Sequence, residues 1–155
     1  EYNQLSGEWW KYHDPQTQNG QTYLDYNEGP LTVTSGKPDI IRELSAGKHG
    51  RRLMIGDGSS DLATRSVVDL FIGFGGVVSR EKVREGSDVF IASASIAPVL
   101  PLAAGFQAYL RTVGTPHQAV FEKGIALTFD QQSVLFKRDE LRAAFEGTFK
   151  PHEGL

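Results

Sequence analysis

Two carboxylates lie four residues apart in the segment GDGSSD at 56–61, directly after a short apolar run at 52–56. A strand ending at Asp57, followed by a helix, would place both carboxylates at the sheet edge where α/β proteins bind ligands. There Asp57 could coordinate a hard cation such as Mg²⁺, and Asp61 could orient a ligand or a nearby ammonium group. The purely structural alternative is a turn at Gly58 followed by an acidic helix start.

Lys37 is a further candidate because it opens a predicted helix at 37–46, immediately before the apolar run. A cation in the first turn opposes the helix dipole, so its placement there is unfavourable unless another charge compensates it. A solvated surface position is the alternative. The order of the segments predicts that the Lys37 ammonium group lies close enough to Asp57 or Asp61 to form an ion pair.

Two segments have the order and spacing of a known set of motifs. They are Gly36-Lys37 and the run GDGSSDL…DLFIGFGGVVSREKVREGSDVFI. Over residues 30–95 the chain resembles the phosphoserine-phosphatase group of the haloacid-dehalogenase (HAD) superfamily. The resemblance implies that Lys37 neutralises the attacking carboxylate and the phosphoryl oxygens, that Asp57 binds Mg²⁺, and that Asp61 supports them. It also implies a Rossmann-like HAD core and a small phosphorylated metabolite as the substrate, hydrolysed through an aspartyl-phosphate.

The family's nucleophile motif, DxDx[ST], occurs nowhere in the 155 residues. Its nearest counterpart is in the tail, where Asp130 ends an apolar run and Ser133 follows three residues later. Gln132 stands where the family has a second Asp, and a neutral amide cannot act as a general acid and base. Asp130 is therefore either a nucleophile analogue in a permuted order or a chance resemblance within a strand and turn.

The sequence thus predicts the lysine and magnesium half of a phosphomonoester hydrolase, incomplete or weakly active as this chain. The alternative is a non-catalytic protein that keeps the HAD fold for binding or assembly, completed by a partner subunit, for instance in a homodimer. The start at Glu1, without Met, predicts a fragment, a processed product or a trimmed chain.

Short apolar runs alternate with helical patterns along the middle of the chain, as in βαβ units with a parallel sheet covered on both faces. The predicted strands are 52–56, 69–74 and 88–92, and the helices between and before them are 37–46, 59–67 and 80–86. The fold class is therefore α/β, with helices flanking the sheet. The mixed charges of the helix at 80–86, which contains Arg84, predict a solvated face.

Aromatic runs at 8–12 and 21–26, separated by the turn-forming segment HDPQTQNG, predict a β-hairpin within an N-terminal extension of residues 1–30. We interpret residues 1–155 as a single partial HAD-like domain. Residues 113–155 form a divergent C-terminal extension in this interpretation.

The C-terminal part follows an apolar helix predicted at 98–110. Its pattern predicts a helix at 116–123 ended by Gly124, a strand within 125–136 and a helix near 138–146. Removing the nucleophile strand from the family fold would expose one edge of the 52–56 strand, and exposed edges promote aggregation. The tail strand at 125–130, the hairpin or a strand of another subunit is expected to cover it.

Composition narrows the remaining classes of function. The 16 basic and 19 acidic residues give a net charge of −3 without long runs of one sign, which argues against a broad field that attracts nucleic acid. The lack of cysteine excludes disulfides, thiolate catalysis and cysteine-bound metals. The apolar stretches are too short to cross a membrane. We therefore predict a cytoplasmic protein that binds neither nucleic acid nor membranes.

Overall fold

Three neighbouring parallel strands make up most of the sheet, and the bounds of each lie within one residue of a predicted strand. They are β3 (Leu53–Gly56), β4 (Leu70–Phe74) and β5 (Val89–Ile91), numbered after two short N-terminal strands. β3 pairs with β4, and β4 pairs with β5. A fourth strand, β6 (Val134–Phe136), pairs antiparallel with β5, so that the order is β3-β4-β5-β6. The predicted α/β class is confirmed.

The computed structural model describes residues 36–150 and, near the N-terminus, the backbone of β1 (Tyr2–Asn3) and β2 (Glu8–Trp9). β1 and β2 pair antiparallel. The predicted hairpin would instead pair residues 8–12 with 21–26, and its second run lies outside the described residues. That prediction is therefore open beyond the strand at 8–9.

Helices connect the strands and cover both faces of the sheet. They are α1 (Gly36–Ser45), α2 (Ser59–Leu62) with a 3₁₀ turn (Ala63–Val67), α3 (Glu81–Gly86), α4 (Val99–Thr112), α5 (Gln118–Phe129) and α6 (Asp139–Phe149). α4 is interrupted at Gly105, which has φ 70° and ψ −175°. Among residues 36–150 and the two short strands, no helix is long and apolar enough to span a membrane.

The core lies on both faces of the sheet because successive strand residues point in opposite directions. One face carries the fully buried residues Ile72, Val89, Ile91 and Val134, against which side chains of α4 and α6 pack. The other face carries Phe71 and Phe90 with Val83 of α3. This two-sided burial explains why the strands of the sequence are almost continuously apolar.

The tail differs from its prediction, because α5 continues through Gly124 to Phe129 instead of ending there. The strand predicted within 125–136 is therefore wrong for residues 125–129 and is limited to β6. A β-carbon at Gly124 would lie 3.0 Å from the carbonyl carbon of Ala97 and 3.0 Å from Cδ of Pro101. This glycine permits close packing of α5 against the start of α4, which compensates for its low helix propensity.

Candidate active site

The carboxyl edge of the sheet, where the parallel strands end, carries the residues predicted to do chemistry. Asp57 follows the last residue of β3, and Asp61 lies in the first turn of the short helix that comes next. The chain leaves β4 at Phe74 and reaches Arg80 just before α3. Ligands of open α/β sheets bind at this edge.

Lys37 and Asp61 form an ion pair, with 2.5 Å between Nζ and Oδ1. The side chain of Asp61 is only 12% exposed and that of Lys37 is 35% exposed. The structure therefore places Lys37 next to one of the two loop carboxylates. The first turn of α1 tolerates the cation because a nearly buried carboxylate compensates its charge.

Asp61 also organises the loop that contains Asp57. Its Oδ2 accepts hydrogen bonds from the backbone N–H groups of Asp57 at 3.2 Å and Gly58 at 3.1 Å. Burial opposes ionisation of the Asp61 carboxyl. The hydrogen bonds from Lys37 and Gly58, together with the Lys37 charge, outweigh burial and hold its pKa below the ordinary value of 3.8. Asp61 is thus an ionised anchor for both the loop and Lys37.

Asp57 pairs with Arg80, a residue that the sequence placed on a solvated helix face. Arg80 donates from Nη1 to the Asp57 side chain and, at 2.7 Å, to the Asp57 carbonyl oxygen. The Asp57 side chain is 52% exposed, so it remains open to a ligand. The order of the strands could have indicated this pair. Arg80 follows β4, and β4 lies beside β3 and ends at the same edge of the sheet.

Asp57 fits the role of a single magnesium ligand. Mg²⁺ often binds one or two carboxylates and completes its shell with waters and substrate phosphate oxygens. Among the described residues, no group of three or more His, Cys, Asp or Glu side chains could hold a metal by itself. Asp61 is already held by Lys37 and two backbone N–H groups, so Asp57 is the carboxylate of this pair with an exposed oxygen surface.

Asp130 lies at the same edge as Asp57 but on the far side of the sheet. It follows α5 and precedes β6, whose antiparallel direction places its first residue beside the end of β5. Three strand spacings separate β6 from β3, or about 14 Å. Asp130 accepts hydrogen bonds from the Ser133 hydroxyl at 2.6 Å and the Gln132 N–H at 3.0 Å, which lower its pKa.

The tail does not pair with β3, contrary to the expectation from the sequence. Residues 125–129 are helical, and β6 joins β5 at the other side of the sheet. Of the strands that the structure describes, β4 is the one that pairs with β3. The tail is therefore not the segment that covers the outer edge of β3.

Comparison with known proteins gives relatives that share part of this chain. The chain is similar to phosphoserine phosphatase of Mus musculus, with 37% identity over 75 residues, of Homo sapiens, with 36%, and of Bos taurus, with 35%. Each match covers 47% of this chain and 33% of the relative, so the chain spans about a third of the length of the curated relatives it matches. No family model matches the chain. These similarities support a HAD phosphatase-like relationship.

Proposed function

We propose that this chain supplies the lysine- and aspartate-bearing part of a Mg²⁺-dependent phosphomonoester hydrolase of the HAD type, similar to phosphoserine phosphatase. The ion pair of Lys37 with Asp61, beside Asp57 at the carboxyl edge, is the observation that supports this function most strongly. The substrate would be a small phosphorylated metabolite and the location cytoplasmic, as the sequence predicts.

Lys37 has the chemistry to neutralise a phosphoryl group. An ammonium group has three donors, and Asp61 accepts one of them at 2.5 Å. The other donors can reach oxygens of a phosphoryl group bound at the edge. Because Asp61 holds the cation before the substrate arrives, little reorganisation is needed when charge develops in phosphoryl transfer.

Asp57 would hold Mg²⁺, which when bound supplies positive charge to the phosphoryl oxygens. The backbone N–H groups of Asp57 and Gly58 fix the loop by donating to Asp61, so the Asp57 carboxylate projects from a rigid turn. Arg80 competes with a cation for this carboxylate because it donates to the same side chain. A metal at Asp57 would therefore have to displace Arg80 from this carboxylate.

The described residues do not place a nucleophile beside Lys37. Because DxDx[ST] is absent from the 155 residues, we expect little or no turnover from this chain alone. A HAD-fold binding or assembly protein, completed by a partner subunit, is the second candidate function. The outer edge of β3 pairs with none of the strands that the structure describes, and in this candidate a strand of the partner subunit would cover it.

Magnesium titration followed by backbone NMR tests the proposed site. We expect saturable shifts at the amides of Asp57 and Gly58, and their loss in Asp57→Asn. Asp39→Asn is the matched control, because Asp39 is an exposed carboxylate on α1 that pairs with Arg42. Shifts that persist in Asp57→Asn, or that centre on other residues, would contradict the assignment.

A phosphatase assay tests whether the chain contains its own nucleophile. With phosphoserine or an aryl phosphate and Mg²⁺, the 155-residue chain should show little or no turnover. Robust turnover that Asp57→Ala abolishes would mean that the chain contains its own nucleophile. Asp130→Asn would then test the nucleophile analogue predicted from the sequence.

A further inference from the structure

The amino edge of the sheet, opposite the carboxyl edge, concentrates positive charge. Arg52 precedes β3, and Arg138 follows the antiparallel β6, so both lie at this edge. Lys48, His49 and Arg51 precede Arg52 in the loop after α1. The length of β3 places this surface roughly 13–17 Å from Asp57, at about 3.3 Å per residue.

Two adjoining cavities, both widely open to solvent, lie at this edge. The first, of about 560 Å³, is lined by Arg65, Arg138, Asp69 and Asp88 among others. The second, of about 420 Å³, is lined by the loop residues 48–52. Val68 lines both cavities, so they form one continuous surface.

The carboxylates of this surface are already engaged. Asp88 is 4% exposed and accepts hydrogen bonds from the Phe71 N–H at 3.0 Å and from Arg65 at 2.9 Å. Asp69 accepts from the Arg52 N–H at 2.7 Å. Buried or hydrogen-bonded carboxylates repel an incoming anion less than free ones, because cations and N–H dipoles already offset their charge.

Several of the Lys and Arg side chains at this edge retain N–H donors that no carboxylate of the described residues accepts. Arg138 approaches Asp88 only to 3.7 Å and Glu140 to 4.0 Å, beyond hydrogen-bonding distance. Within the described part of the chain, Lys48 and Arg51 have no carboxylate within 4.0 Å. Five Lys or Arg side chains against two Asp side chains give the two cavities a net charge of +3, whereas the whole chain carries −3.

We propose that the amino edge binds a small anion with several phosphate groups. One phosphate would contact Arg138 in the first cavity, on the side away from Asp88, which Arg65 already binds. Another would contact Lys48 and Arg51 in the second cavity. Guanidinium groups bind phosphate through paired N–H donors, and contacts at both cavities add to the affinity of one linked ligand. This site is separate from the phosphoryl site proposed at the carboxyl edge.

Calorimetric titration of the full chain with inorganic tripolyphosphate, without divalent metal, tests the proposal. Tripolyphosphate should bind more tightly than inorganic phosphate because it can contact both cavities. Arg51→Gln and Arg138→Gln should each raise the Kd roughly three- to fivefold, in line with about 1 kcal/mol for an exposed charge pair. Arg84→Gln, which removes an exposed arginine of α3, is the matched control and should change the Kd less than about twofold.

Three outcomes would overturn the proposal. The first is wild-type affinity in both Arg51→Gln and Arg138→Gln, with unchanged melting temperatures. The second is loss of binding in Lys37→Met alone, which would assign the anion to the carboxyl edge. The third is tighter binding of a DNA duplex than of tripolyphosphate, which would indicate a nucleic-acid backbone. Because no step depends on turnover, an inactive chain does not affect the result.

Discussion

The side chain of Asp61 occupies the space that a β-carbon would need at Gly56. A Cβ built on Gly56 would collide with Cβ, Cγ and Oδ2 of Asp61. The end of β3 and the carboxylate that anchors Lys37 are therefore packed directly against each other. A glycine at the strand end is a requirement for the position of the anchor, in addition to any role in turn formation.

Gly56→Ala should displace the Asp61 carboxylate from its contacts with the loop and Lys37. We expect the free energy of unfolding to fall by about 1–3 kcal/mol, the usual cost of overpacking. Chemical denaturation measures this change.

Gly147→Ala is the matched control: Gly147 lies within α6, and a β-carbon there meets nothing within 4 Å. That change should stabilise the protein by about 0.5–1 kcal/mol. Equal destabilisation of both variants would contradict the prediction.

The ion pair of Lys37 with Asp61 should contribute measurably to stability. In a double-mutant cycle with Lys37→Met and Asp61→Asn we expect a coupling energy of about 1–2 kcal/mol, because the pair is only partly exposed. The exposed pair Asp39–Arg42 is the control and should give less than about 0.5 kcal/mol. Comparable couplings for the two pairs would mean that burial of Asp61 adds nothing.

The stability of the protein should fall in acid partly because of Asp61. Its pKa in the folded state lies below the ordinary value of 3.8. Stabilisation is therefore fully present above about pH 4 and is lost as the pH falls through the folded-state pKa. Asp61→Asn should flatten the decline of unfolding free energy below pH 4. Identical slopes for the variant and the wild type would show that Asp61 does not titrate as proposed.

Arg80→Gln should strengthen Mg²⁺ binding at Asp57 by a few fold, since it removes a cation that competes for the same carboxylate. The magnesium titration of the Asp57 amide measures the change. Arg84→Gln, one turn further along α3, should leave the affinity unchanged because its carboxylate neighbour is Glu81 at 3.7 Å. Weaker binding in Arg80→Gln would indicate that Arg80 orients Asp57 for the metal.

Removing residues 124–155 should cause aggregation. The deletion eliminates β6 and so exposes the backbone of β5, whose residues Val89 and Ile91 are fully buried. Size-exclusion chromatography and light scattering detect the aggregates. A soluble, folded monomer after deletion would mean that β6 is dispensable for the sheet.

The strands were predictable because each is a short apolar run between turn-forming residues, and the order of Lys37, Asp57 and Asp61 was enough to bring them to one edge. The helical conformation of residues 125–129 was not predictable, because a short apolar run fits a buried strand and a buried helix equally well. In the structure these residues continue a helix in which Gly124 packs against Ala97, and that contact cannot be read from a linear pattern. Arg80 was missed for a similar reason: its partner Asp57 is 23 residues away.

The antiparallel pairing of β6 with β5 has a consequence for the order in which the protein folds. Paired residues of β3 and β4, or of β4 and β5, are about 17 positions apart, whereas Ile91 and its partner Val134 are about 43 apart. Closing the longer loop costs roughly 0.8 kcal/mol more chain entropy. The three parallel strands should therefore assemble early, and β6 should dock late, so that the last contacts to form during folding are the first to open in the native state.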